Sequence, residues 1–270
     1  MARGRSLHIG LNRIDPSHYG TDGALAGCHN DAHDMEAIAG GLGYDPRAVL
    51  LDEQATVKAT KAAINLASAD LAPGDVFLMT YAGHGGQVPD TNGDEVADTL
   101  GGRAGDGKDE TWCLFDRQLI DDELYTMLGG FREGVRVIVI SDSCHSGTVT
   151  RDLDLGGRFL GRDTLDRVYK KHAQEYDDVQ DAYPARDRVM IGASVILISG
   201  CMDNQTSGDG EANGLFTEHL KAEWKDGTFR GSLKRLRTTI VRTMPANQTP
   251  NYYVIGQPDR AFEKAQAFAI

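Results

Sequence analysis

The chain alternates between two kinds of apolar pattern. Six short runs are apolar almost throughout: 7–11, 48–51, 76–81, 135–141, 195–199 and 252–255. Runs of this length, rich in Val, Ile and Leu, read as strands buried on both faces of a sheet. Between them lie stretches whose apolar residues recur every three or four positions. Segment 30–39 aligns Ala32, Met35 and Ile38 or Ala39. Segment 56–71 aligns Val57, Ile64, Ala67 and Leu71 and is closed by Pro73-Gly74. Segment 121–128 opens on Asp121 and Asp122, acids that favour a helix N-terminus. Segments 214–224 and 232–243 complete the helical set. Strands and helices in this order predict a mostly parallel sheet with helices on both faces.

Two segments follow neither period. Residues 87–108 are rich in Gly and Asp. Residues 148–188 are polar and carry Arg151, Arg158, Arg162, Arg167, Lys170, Lys171, Arg186 and Arg188. Loops of this length inside a compact domain are functional or disordered, so both are expected to be irregular. No internal repeat and no Pro- or Ser-rich linker interrupts the chain, and 1–270 reads as one domain.

Composition narrows the function classes. The apolar share is 40% over 270 residues, enough for a full core. No apolar run approaches the roughly 18 residues of a membrane span. The basic start, Met-Ala-Arg-Gly-Arg-Ser, is not followed by an apolar signal core, so a cytoplasmic protein with no membrane partner is expected. Acids outnumber bases, 40 against 28, for a formal charge of −12, which argues against a nucleic-acid partner. The cysteines are Cys28, Cys113, Cys144 and Cys201. Their wide spacing, without a CxxC pair, speaks against a disulfide framework and a structural zinc site.

The chemistry lies at two strand ends. The third apolar run leads into Gly83-His84-Gly85-Gly86, and the fourth into Asp142-Ser143-Cys144-His145-Ser146-Gly147. In an open parallel sheet, ligands bind just beyond the carboxyl ends of the strands. A His and a Cys at two such ends can face each other, and the glycines let a substrate backbone approach closely. A free thiol is mostly protonated at neutral pH, so a nucleophilic Cys144 needs a base such as His84. His145 is a poor base, because neighbouring side chains on a strand point to opposite faces. Attack on an amide creates an oxyanion, for which the backbone N–H groups of Gly85 and Cys144 are candidate donors.

These motifs resemble those of metacaspases and their bacterial relatives, the orthocaspases. Tyr81-Ala82-Gly83-His84-Gly85 and Asp142–Gly147 are similar to the family's His and Cys motifs. The likeness extends to Ala24–Ala32, to Asp109-Glu110-Thr111-Trp112 with Phe115-Asp116 as the acidic strand after the His, to Ile198–Cys201 with Gln205-Thr206-Ser207, and to Gln248-Thr249-Pro250. The Gln-Ala-Cys context of true caspases is absent.

The resemblance implies a caspase-like three-layer α/β sandwich around a mostly parallel six-stranded sheet. Its parts would be a large-subunit-like half over about 1–150, an intersubunit-type loop over 151–188 and a small-subunit-like half over 189–270. It implies a cysteine endopeptidase with a Cys144–His84 dyad, cutting protein or peptide substrates after Arg or Lys. Asp31 and Asp142 would bind the basic side chain, with Cys28 and Ala82 lining the pocket. Family members often have Ser where Ala82 stands. An enzyme of this specificity is expected to be a zymogen that processes itself in the basic loop 148–188. No cofactor is required. Calcium is an expected activator, at Asp109, Asp121, Asp122 and Asp152, although Arg151 stands where the fourth acid belongs. Two rival readings are a non-catalytic module of the same fold, used for binding or signalling, and a metal-dependent hydrolase built on the acidic cluster.

Overall fold

A computed structural model describes residues 1–93, 107–144, 157–185, 188–201, 208–210 and 212–270. The first half runs β1 (Gly4–Gly10), α1 (Pro16–Tyr19), α2 (Cys28–Gly41), β2 (Arg47–Leu51), α3 (Val57–Asp70) and β3 (Val76–Ala82). It continues through β4 (Gly85–Pro89), β5 (Lys108–Cys113), β6 (Gln118–Ile120), α4 (Asp121–Gly129) and β7 (Arg136–Asp142). After α5 (Arg162–Ala182) come β8 (Ser194–Ser199), α6 (Leu215–Trp224), α7 (Leu233–Thr243), β9 (Asn251–Gly256) and α8 (Arg260–Lys264).

The six apolar runs form one sheet in the order β2-β1-β3-β7-β8-β9, parallel except for β9, which runs antiparallel to β8. Side chains alternate across a strand, so each central strand feeds two cores. Phe77, Met79, Val137 and Val139 face one side with α3, α4 and α5. Val76, Leu78, Ile138 and Ile140 face the other with α2, α6, α7 and α8. That is a three-layer α/β sandwich, and it explains why the central runs are apolar at nearly every position rather than every second one; the edge strands β2 and β9 depart from the expected two-face burial, being exposed or only partly buried. Among the described residues no helix is long and apolar enough to cross a membrane.

Two expectations of irregularity are corrected. Much of 148–188 is α5, a 21-residue helix bent at His172, where φ is −122°. Its inward face is sparse, with Leu165, Val168, Tyr176 and Gln180 buried, so its apolar period is diluted by charge. The ends of 87–108 belong to a small antiparallel sheet, β4-β5-β6. Its strand β5 is the acidic strand expected around Asp109.

Tyr176 ties the unexpected helix to both neighbours. Its hydroxyl lies 2.8 Å from His18 Nε2 on α1 and accepts the Gln118 N–H of β6 at 3.3 Å. Tyr176→Phe strips two buried groups of their partner, for an expected loss of about 1–3 kcal/mol. Chemical denaturation checks this, and an unchanged midpoint would mean that the hydroxyl holds nothing.

Candidate active site

The register of the main sheet sets the site. Ala82, the last residue of β3, pairs with Asp142, the last of β7. His84 and Cys144 each follow by two residues, so they occupy equivalent places at the carboxyl edge of neighbouring strands. The turn carrying His84 is pinned through its carbonyl. That oxygen accepts the Tyr81 hydroxyl at 2.7 Å and the Cys113 N–H at 2.9 Å. The Tyr81 ring is itself stacked on Trp112, with centroids 4.5 Å apart. Gly83 permits this closure, since a Cβ there would stand 2.6 Å from the Tyr81 hydroxyl.

The His84 ring has a defined tautomer. Its Nε2 lies 2.9 Å from the Gly23 carbonyl, which can only accept, so Nε2 carries the proton. Nδ1 is therefore bare, and it is buried without a hydrogen-bond partner. Burial lowers the ring's pKa to about 4, while the bond to Gly23 works in the opposite direction. At neutral pH the ring is an uncharged imidazole with one open acceptor, the state a general base requires.

Beside the dyad positions, the structure unites the acids named from sequence around a residue named there only as one of many bases. Arg158 is 0% exposed. Its Nη2 donates to Asp31 Oδ2 at 2.5 Å and to Asp209 Oδ1 at 3.0 Å, and its Nη1 stands 3.1 Å from Asp142 Oδ2. Asp142 is fixed in turn by the N–H and hydroxyl of Thr217, at 3.1 and 2.8 Å. Asp31 accepts from Asn213 Nδ2 at 2.9 Å and from the Gly214 N–H. Burial raises the Asp31 pKa to about 6, against the pull of Arg158, with Asp142 adding to the rise. Cys28, the first residue of α2, is fully buried; burial pushes its thiol up, and the nearby Arg158 charge opposes this.

The backbone around Arg158 is held on both sides. Its carbonyl oxygen accepts the Gly85 N–H at 2.9 Å and the Cys144 N–H at 3.2 Å, the two donors expected at an oxyanion. Upstream, Gly157 bridges Gly208 in antiparallel fashion; downstream, Phe159 bridges Gly85 in parallel, and the Leu160 N–H donates to the Gly85 carbonyl at 3.0 Å. Only glycine fits at 85, because a Cβ would stand 1.8 Å from the Cys144 carbonyl oxygen. The Cys144 sulfur lies 2.9 Å from the Cys201 sulfur. Residues 145–147 lie outside the described residues.

Three of the expected calcium acids are described. Asp109 on β5 and Asp122 on α4 are buried, and Asp122 Oδ2 accepts Asn92 Nδ2 at 2.6 Å. Asp121 opens α4, and Asp152 lies outside the described residues. Asp109, Asp121 and Asp122 do not bring three ligand atoms within 4.8 Å of one another. Among the described residues His18, His172 and Glu175 do so. The two rings there stack at 4.1 Å and 18°, however, so their in-plane lone pairs run side by side rather than converging.

Sequence reasoning missed Gly23, Asp209 and Gly214. Asp209 carried a signal in its Gly208-Asp209-Gly210 setting, an acid between two residues that allow close approach. Gly214 is required because a Cβ there would stand 2.4 Å from the Arg158 guanidinium carbon.

A family model described as "Caspase domain" matches residues 6–262. Metacaspase-1 of Saccharomyces cerevisiae is 30% identical over 261 residues, covering 80% of this chain and 56% of the yeast protein. Metacaspase-1B of Aspergillus fumigatus is 29% identical, covering 88% of this chain and 66% of that protein. The chain thus spans little more than half of the yeast relative. The crystal structure of protein GSU0716 from Geobacter sulfurreducens superposes with a TM-score of 0.90 at 45% identity, covering 99% of each chain. Caspase-1 from Spodoptera frugiperda shares the fold, with a TM-score of 0.56 at 14% identity over 94% of this chain and 86% of that one. With a model match along nearly its whole length, this chain belongs to the caspase-domain family, Peptidase_C14.

Proposed function

We propose that the chain is a cysteine endopeptidase that cuts after Arg or Lys and that the Arg158–Phe159 bond is its own first substrate. One observation supports this above all: residues 157–160 lie as a bound peptide would. The basic side chain fills the acid pocket, the carbonyl oxygen rests on two backbone N–H groups, and the flanking residues extend two β edges. Strand addition of this kind is a recurrent way to hold peptides. A guanidinium suits a carboxylate cluster because its planar fork donates to several oxygens at once. A Lys ammonium brings the same charge without the fork. An Asp in that place would add a fourth carboxylate to three.

In the proposed reaction, His84 Nδ1 takes the Cys144 thiol proton as sulfur attacks the Arg158 carbonyl carbon. The oxyanion forms on the N–H groups of Gly85 and Cys144. The C–N bond breaks as His84 returns its proton to the Phe159 nitrogen. Water, deprotonated by His84, then hydrolyses the thioester and frees the Arg158 carboxylate. No bound cofactor enters these steps. Calcium is proposed only as an activator, and its binding would have to draw together Asp109, Asp121 and Asp122, whose oxygens are of the hard type it prefers but do not converge here. Unchanged turnover in a strong chelator removes that role.

Purified wild-type protein is expected to yield a fragment whose N-terminus is Phe159, seen by gel and Edman sequencing. Cys144→Ala stays at full length, and Arg158→Gln is not cut at this bond. Intact wild-type protein under conditions that support peptide turnover would sink self-processing.

Substrate tests follow from the pocket. Peptides with Arg before the cut are turned over and those with Asp are not; equal rates would refute the assignment. Asp31→Asn removes one charged hydrogen bond to the basic side chain, worth about 1.5–3 kcal/mol. The expected fall in kcat/KM for an Arg peptide is about 10- to 100-fold.

The base assignment has its own check. NMR titration of Cys144→Ala should show the His84 ring neutral down to about pH 4. A midpoint near the ordinary histidine value would mean a solvated ring, not a buried base.

A further inference from the structure

The thiol of Cys201 has no part in the proposed cleavage, yet it lies against the sulfur that does. The two sulfurs are 2.9 Å apart, and Cys201 Sγ also lies 3.4 Å from the Ser143 carbonyl oxygen. The sheet enforces this closeness. Ser141 of β7 pairs with Ser199 of β8, and the Gly200 N–H donates to the Ser141 carbonyl at 2.7 Å, so the strands leave the sheet side by side. A disulfide requires the sulfurs to close to about 2.05 Å, a further approach of about 1 Å. Adjacent strand ends supply that without rebuilding the fold.

We propose that Cys144 and Cys201 form an oxidative modification site, in which a hydroperoxide links the nucleophile to Cys201 and stops turnover reversibly. The proposal rests on the peptidase reading only for the reactivity of Cys144 with His84 as base. The Cys144 thiolate attacks the peroxide O–O bond, giving a sulfenic acid, and the leaving oxygen takes up the thiol's proton. The Cys201 sulfur then displaces the hydroxyl from Cys144, and its own proton leaves with that hydroxyl as water. Two thiols and one hydrogen peroxide give one disulfide and two waters. Without Cys201 the sulfenic acid has no thiol beside it, and further peroxide carries it to the sulfinic acid, which ordinary thiols do not reduce. Cys201 therefore protects the nucleophile by trapping its first oxidised state.

The other two cysteines serve as internal controls. Burial pushes the thiols of Cys28 and Cys113 up, and among the described residues the only sulfur–sulfur contact is Cys144–Cys201, so neither control is expected to cross-link.

The experiment treats the full-length wild-type chain and the Cys201→Ser chain with excess hydrogen peroxide, then with a dithiol. In wild type, free thiols counted in denaturant should fall from the four of the sequence to two. Peptide mapping should link Cys144 to Cys201, and Arg-peptide turnover should be lost and then regained. Cys201→Ser should lose turnover for good and gain two oxygens at Cys144. Four thiols remaining in wild type, a cross-link elsewhere, or full recovery of Cys201→Ser would each overturn the proposal. The thiol count and cross-link map need no turnover, so they decide this proposal even for a chain that cleaves no Arg peptide, a result that would sink only the peptidase reading.

Discussion

A guanidinium with no exposure among three carboxylates is the contact on which the rest of this site depends. Asp31 comes from the start of α2, Asp142 from the end of β7 and Asp209 from the segment after β8, so the pocket joins parts of the chain distant in sequence. Three carboxylates cannot share a dry space without a cation. Each would lose its hydration and repel the others, and removing one partner from a buried ion pair costs about 3–5 kcal/mol. The carboxyl of Asp31 shows the balance, since burial still raises its pKa to about 6 with Arg158 alongside. In this structure the cation that offsets the three carboxylates is the guanidinium of Arg158.

The occupant is held at its backbone as well as at its side chain. The guanidinium is fixed by acids and the carbonyl by the N–H groups of Gly85 and Cys144, so side chain and peptide bond are positioned together. Because the occupant is tethered, its effective concentration far exceeds that of an external peptide, and it competes well for the pocket. On the proposed reading, a cut after Arg158 would free one of the occupant's two ends and shift that competition towards substrates.

How much of this was legible in the sequence varied with how each feature is encoded. The central strands were legible because burial on both faces writes apolar residues at nearly every position, as along Val76–Ala82, while the edge strands β2 and β9 are apolar runs only partly buried. His84 and Cys144 stood out as polar residues at strand ends among glycines, whereas Asp31, on α2, and Asp142 were named only through the family resemblance. Helix α5 was not, because only a few of its residues face inward and its solvated face reads as a loop. Arg158 was visible as one basic residue among eight in its segment, and nothing in composition separates a buried arginine from an exposed one. Its role is written in the partners, above all Asp209 and the Cβ-free space at Gly214, which only the fold brings together.

Reactivity and exposure are joined at Cys144. With the Arg158 carbonyl held by the N–H groups of Gly85 and Cys144, Cys144 is fully buried. Any side chain just beyond β8 must sit close to the nucleophile, because β7 and β8 are hydrogen-bonded neighbours. A serine or alanine at 201 would fill that space equally well as packing. A thiol there differs in one property, its capacity to bond to an oxidised sulfur, and the 2.9 Å contact puts it within reach of Cys144.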